Sequence, residues 1–291
     1  MTPGRRSFHC LVNPMSGGGA APGSAVPVAR LLREAGAEVR VTYSPGPTAC
    51  ADLAREAASR GDVVVAVGGD GMLSSVATAV VDAGGVLGVV PSGRGNDFAR
   101  MLGLSADPRQ VAHTLLEGEP MAVDVVVAGD RVVLGSVYAG VDSLASEIVD
   151  RSGRLPRVLQ YPCAAVRAIV RFDPVRFTLD VDGERLEEEA YTVVVANSAY
   201  YGAGMRVAPR ASLTDGLLDV VVVRAASKLR LVRNLPRLYD GTHVDLDEVL
   251  LLRGRRVSLA GAGVTAYGDG EPLGPLPVTA EVRPASLRVL V

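Results

Sequence analysis

Hydrophobic and polar positions divide the chain into two regimes. In the first, Ser7–Val12, Glu38–Thr42, Asp62–Val67 and Val86–Val90 are short runs rich in β-branched and small apolar residues, punctuated by Gly, Pro and Asn. They lack the polar alternation of a half-solvated sheet, so they fit strands covered on both faces. Between them the period becomes helical. Val28, Leu31, Leu32 and Ala35 share one face of a helix over Val26–Ala35 that Gly36 stops, and Ala49–Ala58 and Met72–Val81 follow the same pattern. Strands alternating with helices in this way predict βαβ units and a parallel sheet.

Near Met121 the pattern changes. Strands dominate Val123–Tyr138, and Phe177–Val181, Tyr191–Ala196, Leu217–Val223, Arg256–Ala260 and Val278–Val282 read as further strands. Arg151–Arg171 reads as a helix, and Asp182-Gly183 is a hairpin signature. The expected fold is α/β: an N-terminal α/β domain with a parallel sheet over residues 1–122, then a C-terminal antiparallel, sandwich-like β-rich domain over 123–291. The boundary rests on the change of pattern alone, since no repeat or low-complexity linker marks it.

Composition narrows the function classes. A hydrophobic fraction of 48% with 21% charged residues over 291 positions supports a real core and excludes general disorder. The formal net charge of -2 provides no basic field for nucleic acid. Cys10, Cys50 and Cys163 are odd in number and widely spaced, so reduced thiols are expected. His9, His113 and His243 have no metal-ligand spacing. The N-terminal stretch has no apolar core of a signal peptide, and no apolar run approaches the ~18 residues of a spanning helix. A cytoplasmic protein is expected.

The candidate chemistry sits at the strand ends. Three of the first four strands end in glycine-rich turns: Asn13–Gly19, Gly68–Met72 and Pro91–Phe98. Ligands of open α/β sheets lie beyond the carboxyl ends of the strands. Glycines allow close approach of a phosphate, and helix N-termini supply free N–H donors. Gly68, Gly69 and Gly71 therefore read as a phosphate cradle, in which a side chain at Gly69 would fill space a phosphate needs. Asp70 adds a carboxylate for Mg²⁺ or for ordering the loop. No Walker A ending and no GxGxxG follow the first strand.

Five stretches in this order, "VNPMSGGG", "VAVGGDGMLSSVA", "LGVVPSGRGNDFAR", "NSAYYGAGMRVAPRASLTDGLLDVVVV" and "GDGEPL", resemble the diacylglycerol kinase catalytic-domain family. These are soluble bacterial lipid kinases related to sphingosine and ceramide kinases, and the resemblance spans essentially the whole chain. It implies an ATP- and Mg²⁺-dependent lipid kinase with its active site in a cleft between two domains. Nucleotide contacts then fall on Asn13, Ser16, Thr42, Gly68, Gly69, Asp70, Gly71, Met72, Gly93, Arg94, Asn96 and Asp97. The acid/base residues fall on Asp269 and Glu271, and a structural Mg²⁺ site falls on Leu213, Asp215 and Leu217. Two positions depart from the family pattern: Met72 and Arg94 stand where threonines are usual. Arg94 offers a charged donor in exchange for one lost hydroxyl, and Met72 offers none.

Phosphoryl transfer requires positioning, charge neutralisation and an acceptor for the hydroxyl proton. Asp269 and Glu271, two apart, would point the same way in extended backbone. The sequence does not rank them, although the longer Glu271 has the greater reach. The implied partner is a lipid substrate at the inner face of the membrane, contacted peripherally, with a homodimer left open. Arg224–Arg237 and Arg151–Arg171 each carry five basic residues and no acid, a pattern suited to an anionic leaflet and equally to solvated helix faces. An NAD kinase-like enzyme and a non-catalytic lipid- or nucleotide-binding relative are the alternatives.

Overall fold

The computed structural model describes residues 6–44, 46–151 and 157–291. Val63–Gly68 shows why the first part folds as it does: every residue of this all-apolar strand is buried, as a strand flanked by helices on both faces requires. The chain forms two units, Met1–Val125 with Pro284–Val291, and Val126–Arg283.

The first unit alternates β1 (Ser7–Val12), α1 (Ala21–Glu34), β2 (Glu38–Tyr43), α2 (Pro47–Ser59), β3 (Val63–Gly68), α3 (Asp70–Asp82) and β4 (Val86–Pro91), then adds α4 (Asp97–Met101) and α5 (Pro108–Glu117). The strands are parallel in the order β2-β1-β3-β4. Phe8, Cys10, Val12, Val65 and Val67 pack with Val28 and Leu32 of α1 and Leu115 of α5. Helix α1 starts at Ala21 rather than Val26, with proline in its first turn, where the ring is tolerated.

The second unit follows β5 (Pro120–Ala128), whose last residues open it. It contains β6 (Arg131–Val133), β7 (Ser136–Gly140), α6 (Val141–Arg151), α7 (Arg157–Arg171), β8 (Val175–Val181) and β9 (Glu184–Ala196). After these come β10 (Leu218–Arg224), α8 (Lys228–Asn234), α9 (Arg237–Asp240), β11 (Val249–Gly254), β12 (Arg256–Gly261), β13 (Thr265–Gly268), β14 (Glu271–Pro275) and β15 (Val278–Leu290). Pairing among β7 to β14 is antiparallel, as expected. The 13-residue β9 organises it: its first half pairs with β8, and its second half lies between β7 and β10. Phe177, Leu179, Val193, Val195, Leu218, Val220 and Leu259 fill the core.

Two expectations change. The single helix over Arg151–Arg171 is α6 ending at Arg151 and α7 starting at Arg157, and residues 152–156 lie outside the described residues. The expected division at 122/123 moves to Val125/Val126, and Pro284–Val291 belongs to the first unit. The cause is strand pairing: β15 runs antiparallel to β12 at Val278–Glu281, and its far end runs parallel to β4 at Arg288 and Val289.

The Asp182-Gly183 turn forms as expected between β8 and β9, both residues having positive φ (52° and 94°). The Asp182 carboxylate also accepts the backbone N–H of Arg255 at 2.9 Å and of Arg256 at 2.8 Å, tying the hairpin to the β11–β12 turn. Asp182→Asn keeps the tolerance for positive φ and weakens these charge-assisted bonds. It is expected to cost about 1 kcal/mol in urea unfolding, the loss being softened by solvent at this exposed site.

Candidate active site

The carboxyl edge of β1, β3 and β4 is built from glycines that touch one another. A Cβ on Gly69 would lie 2.9 Å from Gly93 Cα, and one on Gly93 would lie 2.3 Å from Gly69 Cα. A Cβ on Gly17 would lie 2.3 Å from the Ser92 carbonyl oxygen, and one on Gly68 would lie 2.7 Å from Met72 Cβ and 3.1 Å from Ser16 Oγ. The Ser92 N–H donates to the Gly68 carbonyl at 2.8 Å. The expected reason for Gly69, room for a phosphate, therefore takes second place to packing of two turns against each other.

The cradle residues sort themselves by what their backbones do. The backbone bonds of α3 begin with Leu73 N–H donating to the Gly69 C=O at 3.1 Å. The N–H groups of Asp70, Gly71 and Met72 precede it at the helix N-terminus, the arrangement that receives anions. Met72 keeps that N–H, while its side chain is buried with Sδ 3.6 Å from Cys50 Sγ. The Asp70 carboxylate accepts the Phe98 N–H at 3.2 Å, so it orders the loop into α4. Asn96 sits at φ 54° and closes the neighbouring turn, its Oδ1 accepting Gly93 N–H at 2.7 Å. Asp97 is buried and Arg94 exposed. Asn13 Oδ1 accepts the Met15 N–H at 3.0 Å, and Thr42 Oγ1 is 2.9 Å from His9 Nε2. Thus Asn13, Ser16, Thr42, Gly68–Met72 and Gly93–Asp97 all belong to the first unit, at or beside its strand ends.

Asp269 and Glu271 belong to the second unit and do not point the same way. Asp269-Gly270 forms the two-residue turn of the β13–β14 hairpin, with φ 49° and 89°, so the extended geometry assumed from the spacing does not apply. The Asp269 carboxylate accepts three backbone N–H groups, from Leu134 at 2.7 Å, Gly135 at 2.9 Å and Ser136 at 3.1 Å. A Cβ on Gly135 would lie 2.6 Å from Asp269 Oδ1, so glycine is needed for that approach. Asp269 holds the β6–β7 turn as Asp182 holds the β11–β12 turn. Glu271, at the start of β14, is exposed.

Leu213, Asp215 and Leu217 lie in the loop before β10. Asp215 Oδ1 accepts the Leu217 N–H at 3.1 Å, and its Oδ2 is paired with Arg253 Nη2. Arg253 Nε also lies 3.3 Å from Asp219 Oδ1. Asp219 Oδ2 is buried with no hydrogen-bond partner among the described residues. Burial raises the Asp219 pKa, with Asp215 adding to the rise and Arg253 opposing it. Two carboxylates and loop carbonyls form a hard-oxygen donor set that suits Mg²⁺, and the orphaned oxygen fits a cation. The described residues contain no group of three or more His, Cys, Asp or Glu side chains placed to hold a metal. The sequence reading omitted Asp219, although the spacing of Asp215 and Asp219 in "TDGLLD" was its signal.

A polar and aromatic cluster in the second unit also escaped the sequence. Asp142, at the start of α6, is half-buried as a residue, but its carboxyl group is enclosed. Burial pushes its pKa up to about 6 against hydrogen bonds from Tyr201 and Thr192. Thr192 Oγ1 is 3.0 Å from Asp142 Oδ2. Tyr138 stacks on Tyr267 at 5.9 Å and meets Tyr201 edge-on at 5.6 Å.

The fold and site thus define a parallel α/β unit with a glycine-built edge at its strand ends, in one chain with an antiparallel β unit bearing an exposed carboxylate. Residues 7–128 match the diacylglycerol kinase catalytic domain, and residues 135–291 match the YegS C-terminal NAD kinase beta sandwich-like domain. A diacylglycerol kinase of Mycobacterium tuberculosis is 32% identical over 288 residues, covering 96% of this chain and 93% of that protein. A diacylglycerol kinase of Bacillus subtilis is 26% identical, covering 92% and 90%. The crystal structure of a diacylglycerol kinase from Bacillus anthracis has the same fold, with a TM-score of 0.77 at 18% identity and coverage of 99% and 98%. The chain belongs to the diacylglycerol kinase family of lipid kinases. It is a kinase, and membership implies ATP as its phosphate donor.

Two outcomes test this geometry. Gly93→Ala forces backbone against backbone, so it is expected to lower stability by about 1–3 kcal/mol and to remove the ATP-induced rise in Tm. Asp142 has a folded-state pKa above its unfolded value. The folded state therefore binds more protons between pH 3.8 and about 6, and this contribution to stability is lost as pH rises through that window. Asp142→Asn is expected to be more stable than the parent protein at pH 8, by up to about 3 kcal/mol, with the gap closing toward pH 5 in urea unfolding.

Proposed function

We propose that this kinase transfers the γ-phosphate of ATP to a lipid hydroxyl, diacylglycerol becoming phosphatidate, and that Glu271 accepts the hydroxyl proton. The observation that carries the assignment of roles is the occupied carboxylate of Asp269 beside the exposed one of Glu271. A carboxylate whose oxygens already accept three backbone N–H groups is committed to holding the turn rather than to receiving a substrate proton. A carboxylate in water is free to take a proton. Asp269 acts as a positioning residue that fixes the hairpin from which Glu271 projects.

The glycine edge of the first unit receives the phosphates of ATP. The α3 N-terminus supplies N–H donors and Asn96 holds the loop, while Asn13, Ser16 and Thr42 supply neighbouring polar groups. Mg²⁺ would be held by Asp215, Asp219 and the carbonyls of Leu213 and Leu217. Bound there, it would supply structural charge balance to two neighbouring carboxylates.

Contact with the bilayer is peripheral in this reading, and among the described residues no helix is long and apolar enough to cross a membrane. Exposed Leu229 on α8 and Val170 on α7 support it, at 79% and 59% exposure. The basic stretch Arg224–Arg237 supports it less than its composition suggests. Arg224 pairs with Glu188, Lys228 with Asp173 and Arg230 with Glu248.

The experiment is transfer of label from ATP to a panel of lipids in mixed micelles, with NAD as a control acceptor. Labelled phosphatidate is the expected product; label on NAD with none on any lipid would overturn the proposal. In the same assay Glu271→Gln is expected to lower kcat by about 10²–10⁴-fold with an unchanged Tm. Asp269→Asn is expected to lower Tm through loss of the β6–β7 anchor, and near-normal turnover by Glu271→Gln would remove Glu271 from the chemistry.

A further inference from the structure

A small polar network runs beneath β2 to Thr42. In the parallel register His9 pairs with Arg40 and Leu11 with Thr42, so His9 and Thr42 stand on the same face of the sheet. His9 is 2% exposed. Its Nδ1 is 3.2 Å from Arg60 Nη2, and its Nε2 is 2.9 Å from Thr42 Oγ1. Arg60, the residue that ends α2, is held in turn by Asp62 and Glu56. Asp62 accepts from Ser7 Oγ at 2.6 Å.

These contacts admit only one arrangement of protons. A guanidinium has donors and no acceptor, so His9 Nδ1 must present its lone pair to Arg60. A neutral imidazole then carries its proton on Nε2, which donates to Thr42 Oγ1. The charged groups acting on His9 are Arg60, Arg40, Asp62 and Glu56, and burial together with the two arginines lowers its pKa, keeping it neutral. The Thr42 oxygen thus serves as acceptor inside the protein. Its own O–H is left as a donor, and it meets no acceptor among the described residues. Thr42 is the penultimate residue of β2. Two residues on, the Ser44 N–H bonds the Val12 carbonyl at 2.8 Å, immediately before Asn13 of the first glycine-rich turn.

We infer that Arg60 and His9 are positioning residues for the nucleotide site, a relay that commits the Thr42 hydroxyl to donate its proton to a bound nucleotide. The inference rests on the proposed ATP contact of Thr42 and adds what sets the polarity of that contact. Without Arg60, His9 is free to carry its proton on Nδ1. Thr42 then donates inward to Nε2 and faces the nucleotide with lone pairs only. A lone pair facing a nucleotide acceptor atom is repelled, so binding weakens although no ligand-touching atom has been removed.

The test compares conservative and disruptive replacements by ATP calorimetry, with kcat measured alongside. Thr42→Val is expected to raise the ATP dissociation constant about tenfold, the usual size of one hydrogen bond to a charged ligand. Arg60→Met and His9→Phe are expected to weaken ATP binding by roughly three- to tenfold. Arg60→Lys and His9→Gln, which preserve the donor to position 9 and the donor to Thr42, should stay near the parent value. Nitrogen-15 spectra of the imidazole should place the His9 proton on Nε2 in the parent protein, and this signature should be lost in Arg60→Met. If Thr42→Val weakens binding while Arg60→Met does not, or if the proton resides on Nδ1, the relay is overturned and the Thr42 contact survives. If Thr42→Val binds ATP normally, the nucleotide role of Thr42 fails and the relay with it. Should His9→Phe fail to fold, the Arg60 pair decides, because the Arg60 side chain is partly exposed at 32%.

Discussion

The contact of Gly69 with Gly93 is the constraint on which the first unit's chemistry depends. Two strand ends can share one anion edge only if their turns nest, and they nest at distances no side chain tolerates. Once they do, the Ser92 N–H reaches the Gly68 carbonyl, Asn96 closes its turn on Gly93, and Asp70 spans to the Phe98 N–H. Each bond orders a loop that, under the proposed ATP-binding role, would otherwise pay backbone entropy at every nucleotide encounter. The unused N–H groups of α3 are therefore held in place before any ligand arrives.

The second unit solves a similar problem with charge. Asp182 and Asp269 sit at equivalent places in two Asp-Gly hairpins, and each turns its carboxylate onto backbone N–H groups of a neighbouring turn. A carboxylate can accept several such bonds at once, so one short side chain fixes two turns. The device leaves the next acidic residue after Asp269 unburdened. Asp269 is thereby committed to holding backbone while Glu271 stays exposed, so the two carboxylates have different surroundings despite their proximity in sequence.

Much of this was legible in the sequence, for identifiable reasons. Strand β3 is uniformly apolar, which only a doubly covered strand needs, and the Gly68–Gly71 run announced a turn at its end. What the run did not reveal was the partner of Gly69, because Gly93 lies in a different turn and their contact is tertiary. Strands β13 and β14 went unread because they are short and rich in Gly and Pro, residues that weaken any strand signal. The enclosure of Asp142 depends on Thr192 and Tyr201, both far along the chain, and no local pattern carries such information. Asp219 was visible in a six-residue stretch, but its importance lies in the buried oxygen, which only packing creates.

Strand β15 has a consequence for the order in which the protein is made. Its last residues form an outer partner for β4, yet they are synthesised about two hundred positions later, after all of the second unit. During translation the N-terminal unit must wait with one edge of its sheet unpaired, while the intervening unit can already condense. Open strand edges on nascent chains are where misassembly starts. Closing the edge of β4 is therefore a long-range event of high contact order, completed only after the second unit has been made.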